Sequence, residues 1–149
     1  IRDAQESRGL GDVYKRQIFT SPFTFIATAE VISLLGATPI FVDIEERTFN
    51  INPVLLEQAI KGVVRRDSNL YPLPRGVSLS SLRPKGVIPV DLFGLPADYD
   101  AIKNVTKKYG LWIIEDAAQS FGAEYQSRRA CSLGKIACTS FFPAKPWGC

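Results

Sequence analysis

Lys145 closes the run Thr139-Ser140-Phe141-Phe142-Pro143-Ala144-Lys145, just past an apolar stretch. An amine held partly out of water is pushed toward its neutral form, and a neutral amine can form a Schiff base with an aldehyde. Ser140, in the same run, has a hydroxyl that could donate to a phosphate. Taken alone, a lysine after a strand is far more often an ordinary surface residue, because lysine is seldom buried.

Three β-rich runs end in a carboxylate: Asp43 after Pro39-Ile40-Phe41-Val42, Asp91 after Val87-Ile88-Pro89-Val90, and Asp116 after Trp112-Ile113-Ile114-Glu115. In open parallel sheets, ligands bind outside the carboxyl ends of the strands. For Asp43 and Asp91, helix capping is the favoured reading, since an aspartate at a strand-to-helix turn satisfies free backbone N–H groups. Asp116 differs in its company. Gln119 falls three residues on, on the same face of a starting helical turn, and Ala117 and Ala118 leave room for a flat ligand. A carboxylate aimed at a pyridine nitrogen keeps that nitrogen protonated, and a protonated ring is the electron sink that pyridoxal 5'-phosphate (PLP) chemistry needs. Spacing alone does not separate this arrangement from a plain turn.

The composition narrows the alternatives. There is no histidine, which removes Ser-His-Asp and Cys-His catalysis and leaves lysine, carboxylates, tyrosine or a cofactor to do any chemistry. Cys131, Cys138 and Cys149 form no CxxC pair, so they read as reduced thiols of a cytoplasmic protein rather than a zinc site or a disulfide framework. No apolar run is long enough to span a bilayer. The net charge is +3, and the basic residues gather between Lys61 and Lys85. With no recognisable nucleic-acid module, that stretch reads as a solvated insertion rather than a nucleic-acid surface. No GxGxxG turn marks a dinucleotide-binding unit.

The elements that must position these residues alternate between β-rich runs and helical patterns from Phe19 onward, as βαβ units of a mainly parallel sheet do. A helix is expected over Ala27 to Leu35, with Ala27, Val31, Leu34 and Leu35 on one side and Gly36 as its stop. A strand follows over Pro39 to Asp43. Asn52 caps a helix that opens on Pro53 and buries Leu55, Leu56, Ala59 and Ile60. Residues 61 to 85 read as a loop of low order with at most one short helical turn, and Gly86 to Phe93 as a buried strand. Asp98 caps a helix carrying Ile102, Val105 and Tyr109, closed by Gly110 after Lys107 and Lys108. Strands are expected over Leu111 to Glu115 and Ile136 to Phe142.

The length and even spread of glycine and proline indicate one domain, truncated at both ends. Residues 1 to 17 lack periodicity, and Asp12-Val13-Tyr14-Lys15-Arg16-Gln17 resembles translated adapter DNA, so this leader is set aside from the fold as non-native or flexible. Cys149 follows Pro146-Trp147-Gly148 without a terminal element.

Five ordered stretches, residues 21–28 (SPFTFIAT), 34–43 (LLGATPIFVD), 88–94 (IPVDLFG), 114–122 (IEDAAQSFG) and 140–145 (SFFPAK), resemble the DegT/DnrJ/StrS-type sugar aminotransferases. The resemblance implies an α/β fold, a three-layer αβα arrangement forming part of the large domain of type I PLP-dependent transferases. It implies Lys145 as the Schiff-base lysine and acid/base, Asp116 as partner of the pyridine nitrogen, and Gln119 beside the ring hydroxyl. Ser140 becomes a phosphate ligand and Phe25 the aromatic stacked on the ring. It also implies an amino donor, usually glutamate, a nucleotide-linked sugar as acceptor, and a homodimer whose active sites draw on both subunits. The final run is similar to the branch that makes 3-amino sugars on UDP-linked uronic acids for surface polysaccharide. Against the pattern, the upstream Gly-Thr phosphate segment, the rest of the large domain after the lysine and the whole small domain are absent, Trp147 stands where a smaller aliphatic residue is usual, and the insertion is long. The fragment alone is therefore expected to be inactive. The rivals are a non-catalytic nucleotide-sugar-binding or regulatory relative, disfavoured by Lys145, and a PLP-dependent sugar dehydratase, which would carry histidine in place of the lysine.

Overall fold

The computed structural model describes residues 16–145. Residues 1–15 of the expected leader, together with Trp147 and Cys149, lie outside the described residues. Gln17, set within the expected leader, opens the first strand instead and is wholly buried, its amide oxygen accepting from the Arg83 backbone N–H.

Five strands run parallel: β1 (Gln17–Thr20), β2 (Thr38–Phe41), β3 (Pro84–Ile88), β4 (Trp112–Asp116) and β7 (Ile136–Cys138). Their order in the sheet is β2-β1-β3-β4-β7. Helices α1 (Ala27–Leu34), α2 (Pro53–Arg65) and α3 (Tyr99–Tyr109) make the first three crossovers. The step from β1 to β2 runs one way across the sheet, and the steps to β3 and β4 run the other way. Right-handed crossovers then place α1 on one face and both α2 and α3 on the other. The cores follow this split. Leu56, Ile60 and Val63 of α2 and Ile102 and Val105 of α3 pack with Phe19, Val87 and Ile113, whereas Ile32 of α1 packs with Ile18 and Ile88. The neighbours Ile18 and Phe19 face opposite layers, as alternation along a strand requires.

Local signals at the helix ends work as expected. The Asn52 side-chain oxygen accepts from the N–H groups of Val54 (2.9 Å) and Leu55 (3.2 Å), and Pro53 stands where a missing N–H does no harm. Asp98 accepts from Ala101 N–H at 3.0 Å, and Gly110 closes α3 in the left-handed region (φ 65°). A short hairpin, β5 (Glu124–Tyr125) with β6 (Arg128–Arg129), was not foreseen. It supports α3 through Tyr125, whose hydroxyl donates to Asp98 at 2.8 Å and accepts from Asp100 N–H.

Other expectations need correction. In α1 the buried residues are Thr28, Ala29 and Ile32, while Val31, Leu34 and Leu35 are exposed, so the helix faces the sheet with a different stripe. α1 is apolar nearly all round, and periodicity could not choose its face. Residues 61–65 belong to α2, and the segment beyond is packed rather than loose: Leu82 is 3% exposed, and Tyr71, Leu73 and Val77 rest on the core. β3 starts at Pro84 and ends before Pro89, since proline cannot donate to a ladder. β7 stops at Cys138 instead of Phe142, because its partner β4 ends opposite it, at Asp116.

Candidate functional site

Because the strands are parallel, their carboxyl ends share one edge, and residues just past β1, β3, β4 and β7 meet there. The chain reverses its direction across the sheet at β1, which makes the crevice beside it the natural ligand position. A cavity of about 850 Å³ opens at this point. Its floor is the sheet face of Ile18, Ile88, Trp112 and Ile114, and its rim carries Phe25, Asp116, Gln119, Ser140 and Lys145. All five candidate residues, drawn from positions 25 to 145, thus line one cavity.

Asp116 ends β4, and each of its oxygens has a donor. Oδ2 accepts from the Thr28 hydroxyl at 2.7 Å, and Oδ1 accepts from Ala118 N–H at 3.2 Å. Gln119, in the turn that follows, uses its amide oxygen to accept from Phe93 N–H at 2.9 Å. That bond directs the amide NH₂ away from the backbone and leaves it free to donate elsewhere. Phe93 holds this place in the left-handed region (φ 55°), an uncommon setting for an aromatic residue. Its ring packs with Phe23 and Phe49 on the surface, at centroid distances of 6.4 and 6.0 Å.

Ser140 and Lys145 lie in the irregular segment after β7, both half-buried. The Ser140 hydroxyl accepts from Phe142 N–H at 3.3 Å, so its own hydrogen can serve another acceptor. The Lys145 backbone is tied by its N–H to Phe142 O at 2.8 Å. Behind them, the wholly buried Glu115 accepts from the N–H groups of Cys131 (2.5 Å), Leu133 (2.7 Å) and Gly134 (3.1 Å), fixing the loop that feeds β7. Phe25 lines the cavity and is 70% exposed as a residue.

Asp43 and Asp91 do not cap helices. Asp43 is exposed, accepts from its neighbour Ile44 N–H at 2.8 Å, and lines a separate hollow beside Tyr71. Asp91 is wholly buried and accepts from Ala97 N–H (3.0 Å), the Tyr99 hydroxyl (2.9 Å) and the Ser120 hydroxyl (2.8 Å). Burial pushes its carboxyl up to about 6. Its backbone N–H donates to Asp116 O at 3.0 Å, and Asp116 N–H donates to Pro89 O at 3.0 Å. Asp91 therefore grips both ends of the segment that carries Asp116 and Gln119. The sequence held no local signal for this grip or for Thr28, because the partners are 29 and 88 residues apart.

Among the described residues no group of histidine, cysteine or carboxylate side chains could hold a metal ion, and no helix is long and apolar enough to cross a membrane. The architecture and the sequence have clear relatives. The chain is 48% identical over 133 residues to a UDP-2-acetamido-2-deoxy-3-oxo-D-glucuronate aminotransferase of Pseudomonas aeruginosa, covering 89% of this chain and 32% of that protein. It is 40% identical over 148 residues to a pleiotropic regulatory protein of Geobacillus stearothermophilus, covering 99% of this chain and 34% of the relative. A crystal structure of a DegT DnrJ EryC1 StrS aminotransferase from Brucella abortus superposes with a TM-score of 0.81 at 42% identity, covering 91% of this chain and 33% of that one. The chain spans about a third of the length of these relatives. The fold is thus the mainly parallel, helix-flanked sheet of that aminotransferase, seen in part. The family's sequence pattern runs over residues 7–149, beginning inside the leader that the sequence reading set aside, and by that match this chain belongs to the DegT/DnrJ/EryC1/StrS aminotransferase family.

Proposed function

We propose that the protein carrying this chain is a PLP-dependent aminotransferase that passes an amino group, from glutamate, to a keto group of a nucleotide-linked sugar. The observation that carries the reading is the meeting of Phe25, Asp116, Gln119, Ser140 and Lys145 on one cavity at the carboxyl edge of the sheet. The side chains fit the cofactor in kind. Asp116 offers a carboxylate held on both oxygens, Gln119 an amide NH₂ whose orientation is set by Phe93, Ser140 a hydroxyl hydrogen, and Phe25 an aromatic face. Bound there, PLP supplies an electron sink for the charge left when a proton leaves the carbon that carries the amine.

The chain's own residues do the rest. With PLP bound, Asp116 would keep a proton on the ring nitrogen, and Gln119 would donate to the ring hydroxyl. Ser140 would donate to the phosphate, and Phe25 would offer an aromatic face, where offset stacking contributes about 0.5–1.5 kcal/mol. Lys145 would hold the cofactor, and its amine would serve as the acid/base that moves the proton. The name of the Pseudomonas aeruginosa relative supports a UDP-linked uronic acid as acceptor, and a Bacillus subtilis relative named for spore coat polysaccharide biosynthesis supports surface polysaccharide as the destination. We place the enzyme in the cytoplasm as a homodimer, and regard residues 1–149 alone as inactive, since they span a third of the relatives' length.

Full-length enzyme given PLP, glutamate and a UDP-linked 3-keto sugar acid should release 2-oxoglutarate in step with amino sugar. Cofactor binding without amino transfer to any nucleotide-linked keto sugar would overturn this reading and favour a regulatory relative, such as the one at 40% identity.

A further inference from the structure

We infer that Thr28 is a positioning residue for the cofactor ring, acting through Asp116; the inference rests on the PLP reading above. Thr28 is the second residue of α1 and 7% exposed. A threonine hydroxyl within a helix commonly turns back to a carbonyl of the preceding turn. Here it reaches across the sheet, past β3, to Asp116 Oδ2 at 2.7 Å. An ionised carboxylate only accepts, so the hydroxyl hydrogen points at Asp116.

This bond does what the rest of the site cannot. Asp116 sits at the end of its strand, where a carboxylate is free to turn about its side-chain bonds. The Ala118 N–H holds Oδ1 but comes from the same turn, and at 3.2 Å it is the longer contact. Thr28 holds Oδ2 from a different element, and two donors on two oxygens set the plane of the carboxylate. The hydroxyl also takes up part of the charge that Asp116 would place on a ring nitrogen. Thr28 is three residues after Phe25, and its N–H donates to Phe25 O at 3.3 Å. One short segment therefore sets both the ring-nitrogen partner and the aromatic face.

The test compares Thr28→Val, which keeps the shape and removes the hydroxyl, with Thr28→Ser, which restores it, both in the full-length enzyme. The dissociation constant for PLP and the absorbance maximum of the bound cofactor are read, together with the unfolding midpoint of the cofactor-free protein. Loss of one charge-assisted hydrogen bond should weaken PLP binding by roughly tenfold and move the absorbance maximum in Thr28→Val, with Thr28→Ser within about threefold of the parent. Unchanged affinity and spectrum in Thr28→Val overturn the inference. So does an equal loss in both variants that follows their unfolding midpoints, which is the mark of a purely structural residue. A parent enzyme that binds no PLP overturns the PLP reading itself, and this inference with it.

Discussion

The buried Asp91 carboxylate accepts from the Ser120 hydroxyl at 2.8 Å and so joins the segment that follows β3 to the turn that carries Asp116 and Gln119. Burial raises the Asp91 carboxyl to about 6 from an ordinary 3.8, against the pull of its bonds from Ala97, Ser120 and Tyr99, and the Glu115 charge adds to the rise. The folded protein therefore holds this proton more tightly than the unfolded chain. The stability it contributes is complete below pH 3.8 and is lost as pH climbs to about 6.

Asp91→Asn should remove that slope while keeping the contacts, because the amide oxygen can accept from Ala97 and Tyr99 and its NH₂ can donate to Ser120. Between pH 4 and pH 7 the unfolding free energies of parent and variant should diverge by up to about 3 kcal/mol. Parallel pH courses would mean that Asp91 titrates normally. Asp91→Ala, which strands three buried donors, should destabilise at every pH, by about 2–4 kcal/mol.

Glu115→Ala leaves the N–H groups of Cys131, Leu133 and Gly134 without their acceptor. A loss of about 3–5 kcal/mol is expected, with faster amide exchange at Leu133 and Gly134 than elsewhere in the core. Uniform exchange across the core would show that the loop does not depend on this carboxylate.

Gly86 in β3 lies directly beneath Trp112 of β4, and a Cβ there would fall inside the indole. Gly86→Ala should lower stability by about 1–3 kcal/mol and shift the tryptophan emission as the ring is displaced. Pairing it with Trp112→Leu should recover much of the loss; additive losses in the double variant would argue against the close approach.

Much of this was legible in the sequence where the deciding forces are local. Asn52 with Pro53, and Asp98 with Gly110, marked α2 and α3 because capping is a matter of three or four neighbouring residues. Lys145, Ser140, Asp116 and Gln119 stand out by their position after apolar runs and Phe25 by the family likeness, and their arrival on one cavity follows from parallel strands ending on one edge. What was not legible depends on partners far along the chain. α1 turns Thr28 and Ile32 inward, although Val31, Leu34 and Leu35 are as apolar as the buried stripe. The length of β7 depends on where β4 stops. Capping is the only role that local sequence offers Asp91, because its donors at Tyr99 and Ser120 meet it only once the sheet has formed.

Lys145 is the residue proposed to carry the cofactor, and borohydride trapping puts that role to the test. Full-length protein incubated with PLP, reduced and digested should yield one peptide bearing the phosphopyridoxyl group on Lys145. The Lys145→Ala variant should yield none and should lack the visible band of the lysine-linked cofactor. Labelling on another lysine, or an undiminished band in the variant, would contradict the account.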